Sequence, residues 1–336
     1  MNENILSTIG GTPLIRLKRL FGNAPFRLFA KLEGFNPGGS MKDRAALCII
    51  KDAFAEGRIG PGTTIIESSS GNMGIGLAQI CRYLGLRFIC VIDPKTTSQN
   101  INILRAYGAE IDYVSNPDPA TGEFLQARIS RVKALLDSIP DSFWPDQYSN
   151  LSNAKAHRQT MREIVTALDG KIDYLFCATS TCGTLRGCAE YVRENNLNIK
   201  IFAVDAVGSV IFGDKPAKRL IPGHGAAVRP KLFQPSLAEE CIHVTDLDCI
   251  VGCRLLVKQE SILAGGSSGA VISAVECAKK RIAYDATCAV ILPDRGERYL
   301  DTIYSDGWVR EHFGEVSFSL ETTEEEQLCA TATYSF

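Results

Sequence analysis

Short, β-branched, almost unbroken apolar runs alternate along the chain with stretches of helical periodicity. Such runs occupy 27–32 (RLFAKL), 64–68 (TIIES), 87–93 (RFICVID), 111–115 (IDYVS), 174–179 (YLFCAT), 200–206 (KIFAVDA) and 288–293 (CAVILP). Each is predicted to be a strand, and continuous hydrophobicity marks strands covered on both faces. The intervening segments carry helix-end signals. Ser40 is the expected N-cap of a helix that Gly57 terminates, and Ser152 and Asp246 are expected to cap two others. This alternation predicts an α/β chain of twisted, mostly parallel sheets flanked by helices. Strand spacing is too irregular for a (β/α)8 barrel, and no internal repeat is visible. Two sheets, and so two domains with a cleft between them, are the expectation.

The pattern breaks at 140–153 (PDSFWPDQYSNLSN), whose Pro, Asp, Ser and Asn residues mark the expected domain junction. From about 315 the chain becomes acidic and then small and polar, ending ETTEEEQLCATATYSF. That composition has no core to join and predicts a loosely ordered tail.

At 336 residues the chain is long enough for two domains with an ample core. Its net charge of −2 gives no electrostatic reason to expect nucleic acid or an anionic membrane as partner. No apolar run approaches the roughly 20 residues of a membrane span. The opening MNENILSTIGGTPL lacks the charged and apolar regions of a secretory signal, so a cytoplasmic protein is expected. Twelve cysteines lie mostly inside apolar runs, with no CxxC and no zinc-ligand spacing. They read as reduced core thiols and not as a disulfide or metal framework; no metal is expected.

Several familiar chemistries fail at the level of spacing. GNMGIG (71–76) has the form GxxGxG and not the dinucleotide GxGxxG, and in GFNPGGSMK the lysine falls two positions too late for a P-loop. The four histidines, at 157, 224, 243 and 312, form no HExxH. Four small-residue loops remain. Pro37-Gly38-Gly39-Ser40 delivers Lys42 to the start of a helix, after a turn whose glycines permit close backbone approach. Ser68-Ser69-Ser70-Gly71-Asn72 follows a strand and opens a helix, setting hydroxyls and free N–H groups where a carboxylate can bind. Ser180-Thr181-Cys182-Gly183-Thr184 again follows a strand and can wrap a phosphate. Gly265-Gly266-Ser267-Ser268-Gly269 is the fourth. Alone, each is an ordinary helix start; together, with one delivering a lysine, they point to a lysine that carries a cofactor aldehyde.

GGTPLIRL (10–17), KLEGFNPGGSMKDR (31–44), ESSSGNMGIGLA (67–78), DQYSN (146–150), AGGSSGA (264–270) and LPDRGERYL (292–300) resemble the cysteine synthase and cystathionine β-synthase family. These are fold-type II enzymes, built like the tryptophan synthase β chain, that use pyridoxal 5'-phosphate. The resemblance covers about residues 5–310. It implies that Lys42 bears the cofactor, that Asn72 bonds its 3-hydroxyl, and that Ser180, Thr181, Cys182, Gly183 and Thr184 hold its phosphate. Ser267 would contact the pyridine nitrogen, with Ser268 as the alternative. Ser69, Ser70 and Gln147 would grip the substrate α-carboxylate, joined by Gly71 and Met73 of the same turn. The resemblance also implies a homodimer. It further implies a smaller mobile domain (1–11 and 36–148) closing on a larger one (12–35 and 149–315), with 316–336 as the tail.

Departures from the family pattern bear on the substrate. Two glycines usual in the phosphate loop are Ser180 and Cys182, Met73 replaces a threonine, and AVDAVGSVIFGDKP (203–216) is untypical of sulfide-using members. These features resemble a narrower branch, the N-(2-amino-2-carboxyethyl)-L-glutamate synthases of siderophore pathways. That branch joins O-phospho-L-serine to L-glutamate through an aminoacrylate, on the route to 2,3-diaminopropionate. A glutamate nucleophile calls for a guanidinium and hydrogen-bond donors, for which Arg128 and Tyr148 are the candidates. The leaving phosphate calls for a further cation among Lys215, Lys218, Arg219 and Arg229. The alternatives are a cysteine synthase using sulfide and a catalytically silent cofactor-binding scaffold.

Overall fold

The computed structural model describes residues 2–119, 122, 124–213 and 215–316. In chain order the first half contains strands β1 (Leu14–Leu17) and β2 (Arg27–Leu32), helix α1 (Lys42–Ala55), β3 (Thr64–Ser68), α2 (Asn72–Leu84) and β4 (Arg87–Ile92). It continues with α3 (Ser98–Ala106), β5 (Glu110–Tyr113), α4 (Phe124–Ser138) and β6 (Ser142–Phe143). The second half contains α5 (Leu151–Ala167), β7 (Tyr174–Ala178), α6 (Gly183–Glu194), β8 (Lys200–Ala206) and β9 (Glu240–Val244). Then follow α7 (Asp246–Glu260), α8 (Gly266–Ala278), β10 (Thr287–Leu292) and α9 (Asp306–Phe313).

These strands form two sheets, a larger one ordered β1-β2-β10-β7-β8-β9 and a smaller one ordered β5-β4-β3-β6. Every ladder is parallel except β1 with β2. All residues of β3 and β10 are buried, as their unbroken apolar runs predicted. Three strands escaped the sequence reading. β1 is half-exposed, β6 has two residues inside the polar stretch 140–153, and β9 interrupts its apolar residues with Glu240 and His243. The expected strand 111–115 is shifted to Glu110–Tyr113.

Helix caps differ from expectation by one or two residues. Met41, already helical in its backbone, precedes α1 without a side-chain cap, although Ser40 Oγ accepts the Lys42 N–H at 3.2 Å. Asn150 and not Ser152 caps α5, and Thr245 and not Asp246 caps α7 in a capping box with Asp248. Each of these two has the extended backbone that lets a capping oxygen turn back to the first free N–H groups.

Ten described cysteines are free thiols, nine of them buried. No helix among the described residues is long and apolar enough to cross a membrane. The tail expected to be loosely ordered lies outside the described residues from 317 onward.

Two packing features seat the functional loops. Helices α7 and α8 touch backbone to backbone. A Cβ on Gly269 would lie 1.9 Å from Cys249 O, and one on Gly252 would lie 2.2 Å from Gly269 O. The second is an ion cluster. Arg44, on the first turn of α1, donates to both oxygens of Glu33 (2.7 and 2.8 Å) and both of Glu163 on α5 (2.8 and 2.7 Å). Lys31 lies 2.7 Å from the same Glu163 carboxylate. Asp52, at the far end of α1, also bonds Ser152 and Lys155 of α5. Helix α1 is therefore fastened to the elements of the larger sheet.

Replacing Glu163 with Gln should cost about 3 kcal/mol at neutral pH, the scale for breaking a buried pair, read by denaturant unfolding. Burial pushes the Glu163 carboxyl up, but Arg44 and Lys31 more than reverse that, to about 2 against an ordinary 4.5. The stabilisation is thus complete above about pH 4.5 and lost as pH falls towards 2. The deficit of the variant should shrink across that interval; a deficit unchanged at pH 2 would rule this ion cluster out as its source.

Candidate active site

The loops singled out in the sequence converge at the C-terminal ends of the parallel strands, where α/β sheets bind ligands. Backbone bonds knit them together. Met41 N–H donates to Pro293 O (2.8 Å), Arg295 N–H to Gly39 O (3.2 Å) and Gly265 N–H to Asp294 O (3.2 Å). Lys42, the first residue of α1, is driven below its ordinary pKa by burial; Cys177, Asp294 and Cys182 oppose this in that order. The lysine therefore stands among the end of β7, the start of α6 and the segment after β10. Burial pushes the Cys177 thiol up to about 12 and Cys182 higher still, so neither is a thiolate near neutral pH.

Two helix starts present free N–H groups. At α2, Ser69 Oγ accepts from Gly74 (2.9 Å) and Gly71 (3.3 Å), closing the turn. The N–H groups of Asn72 and Met73 keep no partner among the described residues. Ser70 O accepts from Asn100 Nδ2 (3.0 Å), and the Met73 side chain packs into the core beneath the small sheet. At α6, Cys182 takes a left-handed backbone (φ 62°) before Gly183. A Cβ on Gly183 would lie 2.3 Å from Asn153 Oδ1, so a side chain is excluded there. Asn153 Nδ2 donates to Thr181 Oγ1 (3.1 Å) and Gln147 O (2.8 Å), joining Gln147 to this loop.

At the N-terminus of α8, Ser267 keeps a little exposure, while Ser268 is fully buried with an unpartnered hydroxyl. Asn72 Nδ2 donates to Asp294 Oδ2 at 2.7 Å. Arg128 lies 3.2 Å from Asp93, with a buried Nη1 that has no hydrogen-bond partner. Burial pushes Tyr148 above its ordinary pKa, opposed by Arg128 and, more weakly, by Arg219, while Glu67 adds to the rise. Arg128 and Arg219 thus both lie within electrostatic reach of Tyr148. Of the four phosphate candidates, Lys215, Lys218 and Arg229 are exposed, and Arg229 is engaged with Ile211 O and the Phe233 ring. Arg219 is half-buried, donates to His224 O (3.0 Å) and retains an unpartnered Nε.

Three participants were missed. Glu67 is a fully buried carboxyl raised to about 7 by burial, against hydrogen bonds from Trp144 and Ser68. A lone acid closing the apolar strand TIIES was the available signal. Asn153 and Asp294 gave none, because the loops they join, through Thr181 and Asn72, are 28 and 222 positions distant.

The residues present suit pyridoxal phosphate. A half-buried lysine with a lowered pKa, a side-chain-free cradle at Gly183, unpartnered N–H groups and an orphaned serine hydroxyl lie among the converging loops. Residues 5–294 match the family model described as pyridoxal-phosphate dependent enzyme. The chain is 47% identical over 308 residues to the N-(2-amino-2-carboxyethyl)-L-glutamate synthase of Ralstonia nicotianae, covering 91% of each. Among solved structures it is similar to cysteine synthase from Entamoeba histolytica, with TM-score 0.84 and 35% identity over 90% of this chain and 91% of that one. A hydrogen sulfide-producing enzyme of Fusobacterium nucleatum gives TM-score 0.83 and 33% identity, covering 89% of this chain and all of that one. Helix starts gathered around Lys42 on two mostly parallel sheets and a match along most of the chain lead to one conclusion: this protein belongs to the pyridoxal-phosphate dependent enzymes.

Proposed function

We propose that this enzyme performs a β-replacement, converting O-phospho-L-serine and L-glutamate to N-(2-amino-2-carboxyethyl)-L-glutamate and phosphate, for 2,3-diaminopropionate and siderophore synthesis. The observation that carries this reading is the pair of guanidiniums with unpartnered nitrogens, Arg128 Nη1 and Arg219 Nε, both within electrostatic reach of the half-buried Tyr148. A dicarboxylate nucleophile and a phosphate leaving group need such cations; sulfide needs neither. The Ralstonia relative, by its name, supports the same reading.

Bound pyridoxal phosphate supplies an electron sink for charge developing at the amino acid Cα. The residues of this chain do the rest. Burial favours the neutral Lys42 amine, which can take and return the Cα proton. The free N–H groups of Asn72 and Met73, with Ser70, suit the α-carboxylate, and Gln147 is tied beside them through Asn153. The start of α6 suits the cofactor phosphate. A neutral serine hydroxyl from α8 does not hold a ring nitrogen protonated as a carboxylate would, which favours loss of a β-substituent over transamination.

The working form in this reading is a cytoplasmic homodimer whose smaller unit closes over the substrate to exclude water.

Purified protein should be yellow, and Lys42→Ala should abolish the visible band of the lysine-bound cofactor; a band that persists would disprove the lysine assignment. With O-phospho-L-serine present, mass spectrometry should find phosphate release and the glutamate adduct. Rapid cysteine formation with sulfide and no glutamate adduct would establish the cysteine synthase reading instead. Cofactor absorbance without any turnover would indicate a silent scaffold. Arg219→Met should raise KM for O-phospho-L-serine about tenfold or more, and Arg128→Met should do the same for glutamate, the scale of a lost charge-assisted hydrogen bond. Effects confined to kcat would remove these two residues from substrate binding.

A further inference from the structure

One buried carboxylate meets three of the converging loops and has no part in the chemistry described above. Asp294 follows β10 through Pro293 and is 4% exposed. Its backbone pairs with Ser40 of the lysine loop, and its carbonyl accepts from Gly265 at the entrance to α8. A Cβ on Gly265 would lie 2.1 Å from Asp294 Oδ1, so the glycine leaves room for the carboxylate. Oδ2 accepts from Asn72 Nδ2 at 2.7 Å and from the Tyr299 hydroxyl at 2.5 Å.

The other end of the Asn72 amide is held as well. The Arg298 guanidinium donates to Asn72 Oδ1 and to Gly38 O. A side-chain amide offers a carbonyl on one side and two N–H donors on the other, and rotation about its last bond exchanges them. Here a carboxylate takes the nitrogen end and a guanidinium the oxygen end, so only one orientation satisfies both. Simple attachment of α2 to the segment after β10 would not require a buried charge, whose desolvation costs several kcal/mol. Asp294 also lies within electrostatic reach of Lys42.

We propose that Asp294 is a positioning residue that, with Arg298, fixes the Asn72 amide so that it presents an N–H and not its carbonyl to the cofactor. Tyr299 in turn holds the carboxylate. This rests on the assignment of Asn72 as a cofactor contact, and not on the choice of leaving group or nucleophile.

The test is a double-mutant cycle on the holoenzyme, with no substrate present. The dissociation constant of pyridoxal phosphate and the visible circular dichroism of the bound cofactor are measured for Asp294→Ala, Asn72→Ala and the pair. Asp294→Ala should weaken cofactor binding about tenfold, the scale of a lost charge-assisted contact, and alter the visible dichroism in the same sense as Asn72→Ala. In the Asn72→Ala background the second substitution should change affinity less than about twofold, since it acts through a group already removed. Effects that multiply in the double variant, an unchanged dichroism, or an Asn72→Ala enzyme with full cofactor affinity would each overturn the proposal. If Asp294→Ala does not fold, Tyr299→Phe serves instead. It should weaken binding severalfold in the parent and not in Asn72→Ala; an equal loss in both would again overturn it. An enzyme that shows the coupling but never uses glutamate would sink the proposed substrate alone.

Discussion

The buried guanidinium of Arg44, shared between Glu33 and Glu163, is the interaction on which the placement of the cleft depends. It lies two residues beyond Lys42, on a helix that stands between the two sheets. Its side chain is 4% exposed and that of Glu33 is fully buried, so the pair forgoes hydration and depends on bidentate geometry to offset the cost. Lys31, also buried, supplies the second cation to Glu163. Two cations and two carboxylates thus compensate one another, and they do so only when β2, α1 and α5 are correctly docked. The first residue of α1 is then set at one point above the end of β7.

That point makes the lysine chemically useful. Burial disfavours the ammonium, and the positive end of the α1 dipole works in the same direction. Of the three groups that oppose this, Cys177 and Cys182 are themselves protonated because they are buried. Asp294 is the remaining source of negative charge, and its own pKa is raised by burial against Tyr299, Asn72 and Arg298. The surroundings therefore shift Lys42 in the direction of the free amine. Arg298 stands beside this centre on Asn72 and Gly38, while Arg128 and Arg219 both act electrostatically on Tyr148.

The seven apolar runs, the strand-to-helix loops and the lysine were legible because each is a local pattern. A strand buried on both faces must be apolar throughout, and a helix start that binds anions must be built from small and hydroxyl residues. Caps were less legible. Several polar residues stand near each helix start, and backbone geometry alone decides whether Asn150 or Ser152 turns back. β6 and β9 were hidden because their pairing partners, and not their own composition, make them strands.

The sequence by itself determined the α/β class and the four small-residue loops, one of which delivers Lys42, since these follow from residue type and short spacing. It left four cations as equal candidates and did not mark Asp294, Asn153 or Glu67. Only the tertiary structure set Arg219 half-buried against His224 O while exposing Lys215, Lys218 and Arg229. Only it joined Asn72 to Asp294, 222 positions away along the chain. A side chain's charge and bonding depend on which distant groups surround it and how much water is excluded, and neither quantity is carried by local sequence.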